Sequence, residues 1–104
     1  MDCPFRVPEF TTWEWCPCNG GDQFRFKFTN GWGASVVRHS FSYGVSEGKW
    51  ELAVEGKDGD LNYNHPVSHG DVRGWLSEDD VSRLLAEIAA TPADAVFTER
   101  AVSP

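Results

Sequence analysis

Basic residues are scarce in this sequence. Lys and Arg together number 9 against 16 Asp and Glu, which leaves a formal net charge of −7. A broad grip on nucleic-acid phosphates needs clustered cations, so direct nucleic-acid binding is not expected. Long apolar runs are missing as well. No stretch approaches the roughly 18 apolar residues of a membrane-spanning helix, and the N-terminus has no basic stretch followed by an apolar one. The expectation is a soluble, cytoplasmic protein without membrane contact. Cysteine is sparse and unevenly placed, with Cys3, Cys16 and Cys18 all before residue 19. An odd count excludes a fully paired disulfide framework in a monomer, and a reducing compartment suits it. No internal repeat, low-complexity tract, domain linker or glycine-rich phosphate loop occurs. Gly31 and Gly33 flank Trp32 with no helix after them.

What is present is aromatic. The 104 residues include 7 Phe, 5 Trp and 2 Tyr, enough for one modest core and too many for a disordered chain. Residues 23–29 alternate strictly, with Phe24, Phe26 and Phe28 on one face of a strand and Arg25 and Lys27 on the other. Asn30-Gly31 then signals a hairpin. In the next strand Val37, His39, Phe41 and Tyr43 form the more aromatic face and are expected inward, with Ala34, Val36, Arg38 and Ser40 opposite. Residues 49–55 form a third strand with Trp50, Leu52 and Val54 inward and Lys49, Glu51 and Glu55 outward. A polar turn over residues 56–60 leads to a short fourth strand, residues 61–64, with Leu61 and Tyr63 inward. Residues 65–76 read as a crossing loop.

A helix starts after Ser77, an N-cap with Asp80 completing a capping box and Glu78, Asp79 and Asp80 favoured by the helix dipole. Val81, Leu84, Leu85, Ile88 and Ala89 make one apolar stripe, and Pro92 ends the helix near Thr91. Beyond it, Thr91-Pro92-Ala93-Asp94 could cap another helical turn, and Ala95-Val96-Phe97-Thr98 could equally pair as a strand. The resulting fold class is α+β: a four-stranded antiparallel meander packed by one C-terminal amphipathic helix, with an irregular N-terminal arm. The divisions are residues 1–22 for an aromatic, cysteine-bearing arm, 23–91 for the ββββα domain and 92–104 for a tail. Trp13-Glu14-Trp15 within the arm has the alternation of one short edge strand.

No pattern reaches the strength of a catalytic motif. Cys3, Cys16, Cys18, His65 and His69 are weak candidates for a structural zinc, which favours four Cys or His ligands in close pairs. Cys16-Pro17-Cys18 is one residue tighter than usual, and the His65/His69 pair is distant in sequence. A Cys–His nucleophile from Cys16 or Cys18 with His39 lacks an orienting third group. Asp58-Gly59-Asp60 lacks the later ligands of a calcium loop and reads as a turn. No cofactor is expected. The open face of the sheet is the better candidate: Arg25, Lys27 and Arg38 near Trp32, extended by Trp13 and Trp15 of the arm, form a patch suited to gripping a protein.

The run Asn30-Gly31-Trp32-Gly33-Ala34-Ser35-Val36-Val37-Arg38-His39-Ser40 is the first part of a longer similarity. With Trp50-Glu51-Leu52-Ala53-Val54, Asn64-His65-Pro66-Val67 and Gly74-Trp75-Leu76-Ser77-Glu78-Asp79-Asp80-Val81, it resembles a group of small uncharacterised bacteriophage proteins. The resemblance covers residues 24–90 and leaves out the cysteine-bearing arm. Where those proteins carry Asp-Thr-Pro, this chain has Asn64-His65-Pro66. No catalytic residue carries over. The resemblance implies a non-enzymatic phage accessory protein that binds a host or defence protein in the host cytoplasm. A zinc-stabilised binding domain and an acidic DNA-mimic inhibitor are the alternatives.

Overall fold

A computed structural model describes residues 2–39, 48–68 and 70–97. Five strands lie side by side in chain order: β1 (Thr12–Cys18), β2 (Gly21–Lys27), β3 (Gly33–Arg38), β4 (Trp50–Glu55) and β5 (Arg73–Leu76). Every neighbouring pair is antiparallel. One helix, α1 (Glu78–Ala89), packs across β3, β4 and β5. The architecture is an open antiparallel sheet with a helix on one face, the α+β class expected from the sequence.

Cross-strand register explains the core. Phe24 pairs with Val36 and Phe26 with Ala34, and these in turn face Leu52 and Val54. All of them are buried, together with Trp50 and Leu76. The helix lays Val81, Leu84, Leu85 and Ile88 onto this inner face. The arm closes the part that the helix does not reach. Phe5 sits edge-on to Phe24, Phe26 and Trp50, with centroids 4.9–6.3 Å apart, and the Arg6 N–H donates to Ser82 Oγ at 2.9 Å. The helix begins as read. Ser77 Oγ accepts from the Asp80 N–H, and the Asp80 carboxylate accepts from the Ser77 N–H, both at 3.0 Å.

Several expectations are corrected. The sheet has five strands because most of the supposed arm's second half is β1. Asn19 and Gly20, both at positive φ, close a two-residue hairpin onto β2. The expected fourth strand makes a single bridge from Leu61 to Glu55, and Leu61 and Tyr63 are 46% and 42% exposed. The chain instead turns through residues 62–68, where the Asn62 side chain accepts from two backbone N–H groups. It re-enters the sheet as β5, within the expected crossing loop. In β3 the buried side is Ala34 and Val36, not Val37 and His39. The phenylalanine face of β2 demands that side, since directly paired residues share a face. Phe41 and Tyr43 lie outside the described residues.

The Asn30-Gly31 turn forms as expected, with Gly31 at φ +92°. Its asparagine also reaches the end of α1, donating toward the carbonyls of Ile88, Ala89 and Thr91. Beyond the helix, residues 95–97 are neither strand nor helix, and Phe97 packs on Trp32 and His65. No helix among the described residues is long and apolar enough to cross a membrane.

Candidate functional site

The outer face of the sheet carries the side chains that alternate with the core. Pairing aligns Glu14 with Arg25 and Ser35, Cys16 with Gln23 and Val37, and Thr12 with Lys27, Gly33 and Glu55. At one end of this face lies a cleft of about 300 Å³. Thr12, Trp13 and Glu14 of β1, Arg25, Phe26 and Lys27 of β2, Glu55 of β4 and Gly59 line it.

The cleft is organised by one ion pair. Arg25 Nη2 lies 2.7 Å from Glu55 Oε2, and the Glu55 side chain is only 11% exposed. These residues sit two strands apart. The intervening β3 places Gly33 level with Glu55, so no side chain stands between them there. A Cβ on Gly33 would lie 2.6 Å from the Phe26 carbonyl oxygen and 3.4 Å from Glu55 Oε1. The hydrogen bond from Arg25 to Glu55, followed by the attraction of the same carboxylate, raises the Arg25 pKa and holds the guanidinium charged. Lys27 is in no ion pair among the described residues. The arrangement therefore offers one neutralised cation and one cation in no ion pair among the described residues.

The six residues expected to form one binding patch divide between environments. Arg25 and Lys27 share the cleft, which Trp13 also lines, although alternation sends the Trp13 side chain to the inner face, where its ring centroid lies 5.8 Å from that of Phe24. Trp15 pairs with Phe24 and so belongs, like Trp13, to the inner face at the sheet's edge. Trp13 and Trp15 remain 41% and 37% exposed, and Trp15 Nε1 donates to Asp22 Oδ1 at 2.9 Å. Arg38 is also on the inner face. It pairs with Asp22 at 3.6 Å, stacks 4.2 Å above the Trp50 ring and lies across the sheet from Arg25 and Lys27. Trp32 is 3% exposed and packs against His65 and Phe97. It is a core residue, because the hairpin folds its indole under the chain that follows the helix. The part of the site that sequence reasoning missed is Glu55 as the partner of Arg25. Its outward direction was legible from alternation, but the order of strands that places it beside β2 was not.

The weak metal candidates do not converge. Cys3 lies in the arm, where burial pushes its thiol pKa up. Cys16 and Cys18 lie at the β1–β2 turn, with Cys16 Sγ 3.4 Å from Gln23 Oε1. Both nitrogens of His65 are engaged: Nδ1 accepts from the Val67 N–H at 3.1 Å, and Nε2 lies 2.8 Å from Thr91 Oγ1. Since Nδ1 accepts, Nε2 carries the proton and donates. Burial lowers the His65 pKa, opposed by the charge of Glu87. His69 lies outside the described residues. Among the described residues, no three His, Cys, Asp or Glu side chains group as a metal site. No family model, curated protein or solved structure matches the chain.

Proposed function

We propose that this protein acts without catalysis, by binding another protein at the Arg25–Lys27–Trp13 cleft. The partner we assign is a host or defence protein, and the role is that of a phage accessory protein, as the sequence resemblance implies. The supporting observation is the cleft itself. Lys27, in no ion pair among the described residues, stands beside the Arg25–Glu55 pair on the outer face, and the inner face of the same sheet edge leaves Trp13 41% exposed. Tryptophan and arginine are over-represented among the residues that carry interface energy. A fitting partner segment presents a carboxylate to Lys27 on the outer face and an apolar side chain to Trp13 on the inner face of the same edge.

The test is affinity capture from host lysate with three baits: the parent, Lys27→Glu and Trp13→Ala. Each bait is first checked for an unchanged circular dichroism spectrum. The proposal expects one protein captured in stoichiometric amount by the parent and depleted at least about tenfold with either variant, the equivalent of about 1.4 kcal/mol. Equal capture by all three baits refutes the surface assignment. Absence of any stoichiometric partner refutes the binding role.

A further inference from the structure

We infer that the edge of β1, which no strand among the described residues covers, pairs with β1 of a second copy, antiparallel about a two-fold axis at Trp15, to make one continuous sheet across two chains. This goes beyond the function proposed above, since it concerns the backbone edge of β1, which borders the cleft, and not the cleft's charged side chains.

The two edges of the sheet differ. β5 is 4 residues long, breaks register against β4 and carries Trp75 at φ +59°. Short length and irregularity are the usual protections of an edge strand. β1 has 7 residues in unbroken register with β2 and no Lys or Arg. Its hairpin turn determines which backbone groups are free. A two-residue turn makes Cys18 and Gly21 a hydrogen-bonded pair, and the pairs then alternate. Cys16, Glu14 and Thr12 therefore bond to β2, while the backbone groups of Trp13, Trp15 and Pro17 face outward. Pro17 thus sits where its missing N–H costs no bond to β2.

The sequence of the strand selects the occupant and the register. Trp15 is the midpoint of Thr12–Cys18, so the register centred on it overlaps the whole strand with itself. It sets Trp15 opposite Trp15, Trp13 opposite Pro17 and Glu14 opposite Cys16. The Trp15 N–H of each copy meets the Trp15 carbonyl of the other, and each Trp13 N–H meets a Pro17 carbonyl. All apolar side chains of the strand meet on the inner face, where Trp13 and Trp15 are now half-exposed. No carboxylate opposes another, which matters in a chain of net charge −7. The neighbouring registers fail. Centring on Glu14 sets two carboxylates face to face, which is unfavourable for directly opposed like charges. Centring on Cys16 pairs Trp15 with Pro17 and pushes Trp13 against Asn19 of the turn. Centring on Trp13 calls on Thr11, whose N–H is already donated to the Pro8 carbonyl at 3.2 Å.

Sedimentation equilibrium of the full chain, from low to high micromolar concentration, tests the pairing. A reversible dimer is expected. Trp15→Lys places two ammonium groups opposite each other on the axis, and the dimer dissociation constant should rise by at least about tenfold. A parent that stays monomeric throughout, or a dimer unaffected by Trp15→Lys, overturns the proposal. Register is read separately by oxidising Glu14→Cys in a Cys3→Ser, Cys18→Ser background. The introduced thiol then faces Cys16 of the other copy, and a disulfide-linked dimer is expected on a non-reducing gel. Adding Cys16→Ser should abolish it. A cross-link that survives Cys16→Ser, or none in its presence, refutes the register.

Discussion

Replacing Asn30 by Ala should destabilise the whole domain, although Asn30 sits in a turn. Its amide nitrogen lies 2.9 Å from the Ile88 carbonyl oxygen, 3.2 Å from that of Ala89 and 2.9 Å from that of Thr91. Its Oδ1 accepts from the Trp32 N–H at 2.9 Å. An amide has two hydrogens, so three carbonyls share two donors. Ile88 and Ala89 close a helix with no basic residue in its last turn, and Thr91 follows it; carbonyls there lose their intrahelical partners, although that of Ile88 also accepts from the Thr91 N–H at 3.1 Å. Counting two donors and one acceptor at about 1 kcal/mol net each gives a loss of about 2–3 kcal/mol. With a urea dependence of about 1.5 kcal/mol per molar, the midpoint should fall by about 1–2 M with an unchanged slope. Asn30→Asp sharpens the test. It keeps the acceptor for Trp32 but aims a carboxylate oxygen at three carbonyls and at the negative end of the helix dipole. At neutral pH it should be at least as damaging as Ala, and the damage should fade as the pH falls below the carboxyl's raised folded-state value, to be gone near the ordinary Asp value of about 4. An Asn30→Ala protein within about 0.5 kcal/mol of the parent would refute this reasoning, since that is the range of an inert surface change.

Further outcomes follow from other contacts. Gly21→Ala puts a Cβ 1.9 Å from the Arg38 carbonyl oxygen and 2.8 Å from the His39 Cα. Backbone cannot yield cheaply, so a loss of about 2–3 kcal/mol is expected in urea melts, with faster amide exchange where β2 meets β3. Ser77→Ala removes half of the capping box and should cost about 1 kcal/mol. Hydrogen bonds from Ser77 hold the Asp80 pKa below its ordinary value. That carboxylate therefore stabilises the fold fully above the ordinary Asp pKa and less as the pH falls through the lowered one. Urea midpoints in acid should show this step in the parent and a smaller one in Ser77→Ala. His65 has its pKa lowered by burial, so the unfolded chain takes up a proton first. Stability from the neutral ring is complete above about pH 6.5 and declines as the pH drops toward the lowered value. His65→Gln should lack that decline, and an identical pH profile in both proteins would refute the assignment.

The local grammar of this chain was legible without coordinates. Ser77 and Asp80 announce a helix start because their side chains satisfy backbone donors that any helix leaves open. The stripe from Val81 to Ile88 and the alternation of Phe24 and Phe26 describe buried faces because helix and strand periods are properties of the backbone. The outward direction of Arg25, Lys27 and Glu55 follows from the same alternation. What tertiary structure decided was how these faces meet. Val37 and His39 had the more apolar and aromatic claim to the core, yet pairing with Phe24 and Phe26 buried Val36 and Ala34 and turned Arg38 onto Trp50. Trp32 was a surface residue by its place in a hairpin and a core residue once the chain after the helix closed over it. The cleft depends on strand order, which lets Glu55 reach Arg25 across a glycine. Periodicity acts over neighbouring residues and is written in the sequence. Register and strand order are settled by how the paired strands, the helix and the arm pack together, and that is a property of the whole chain.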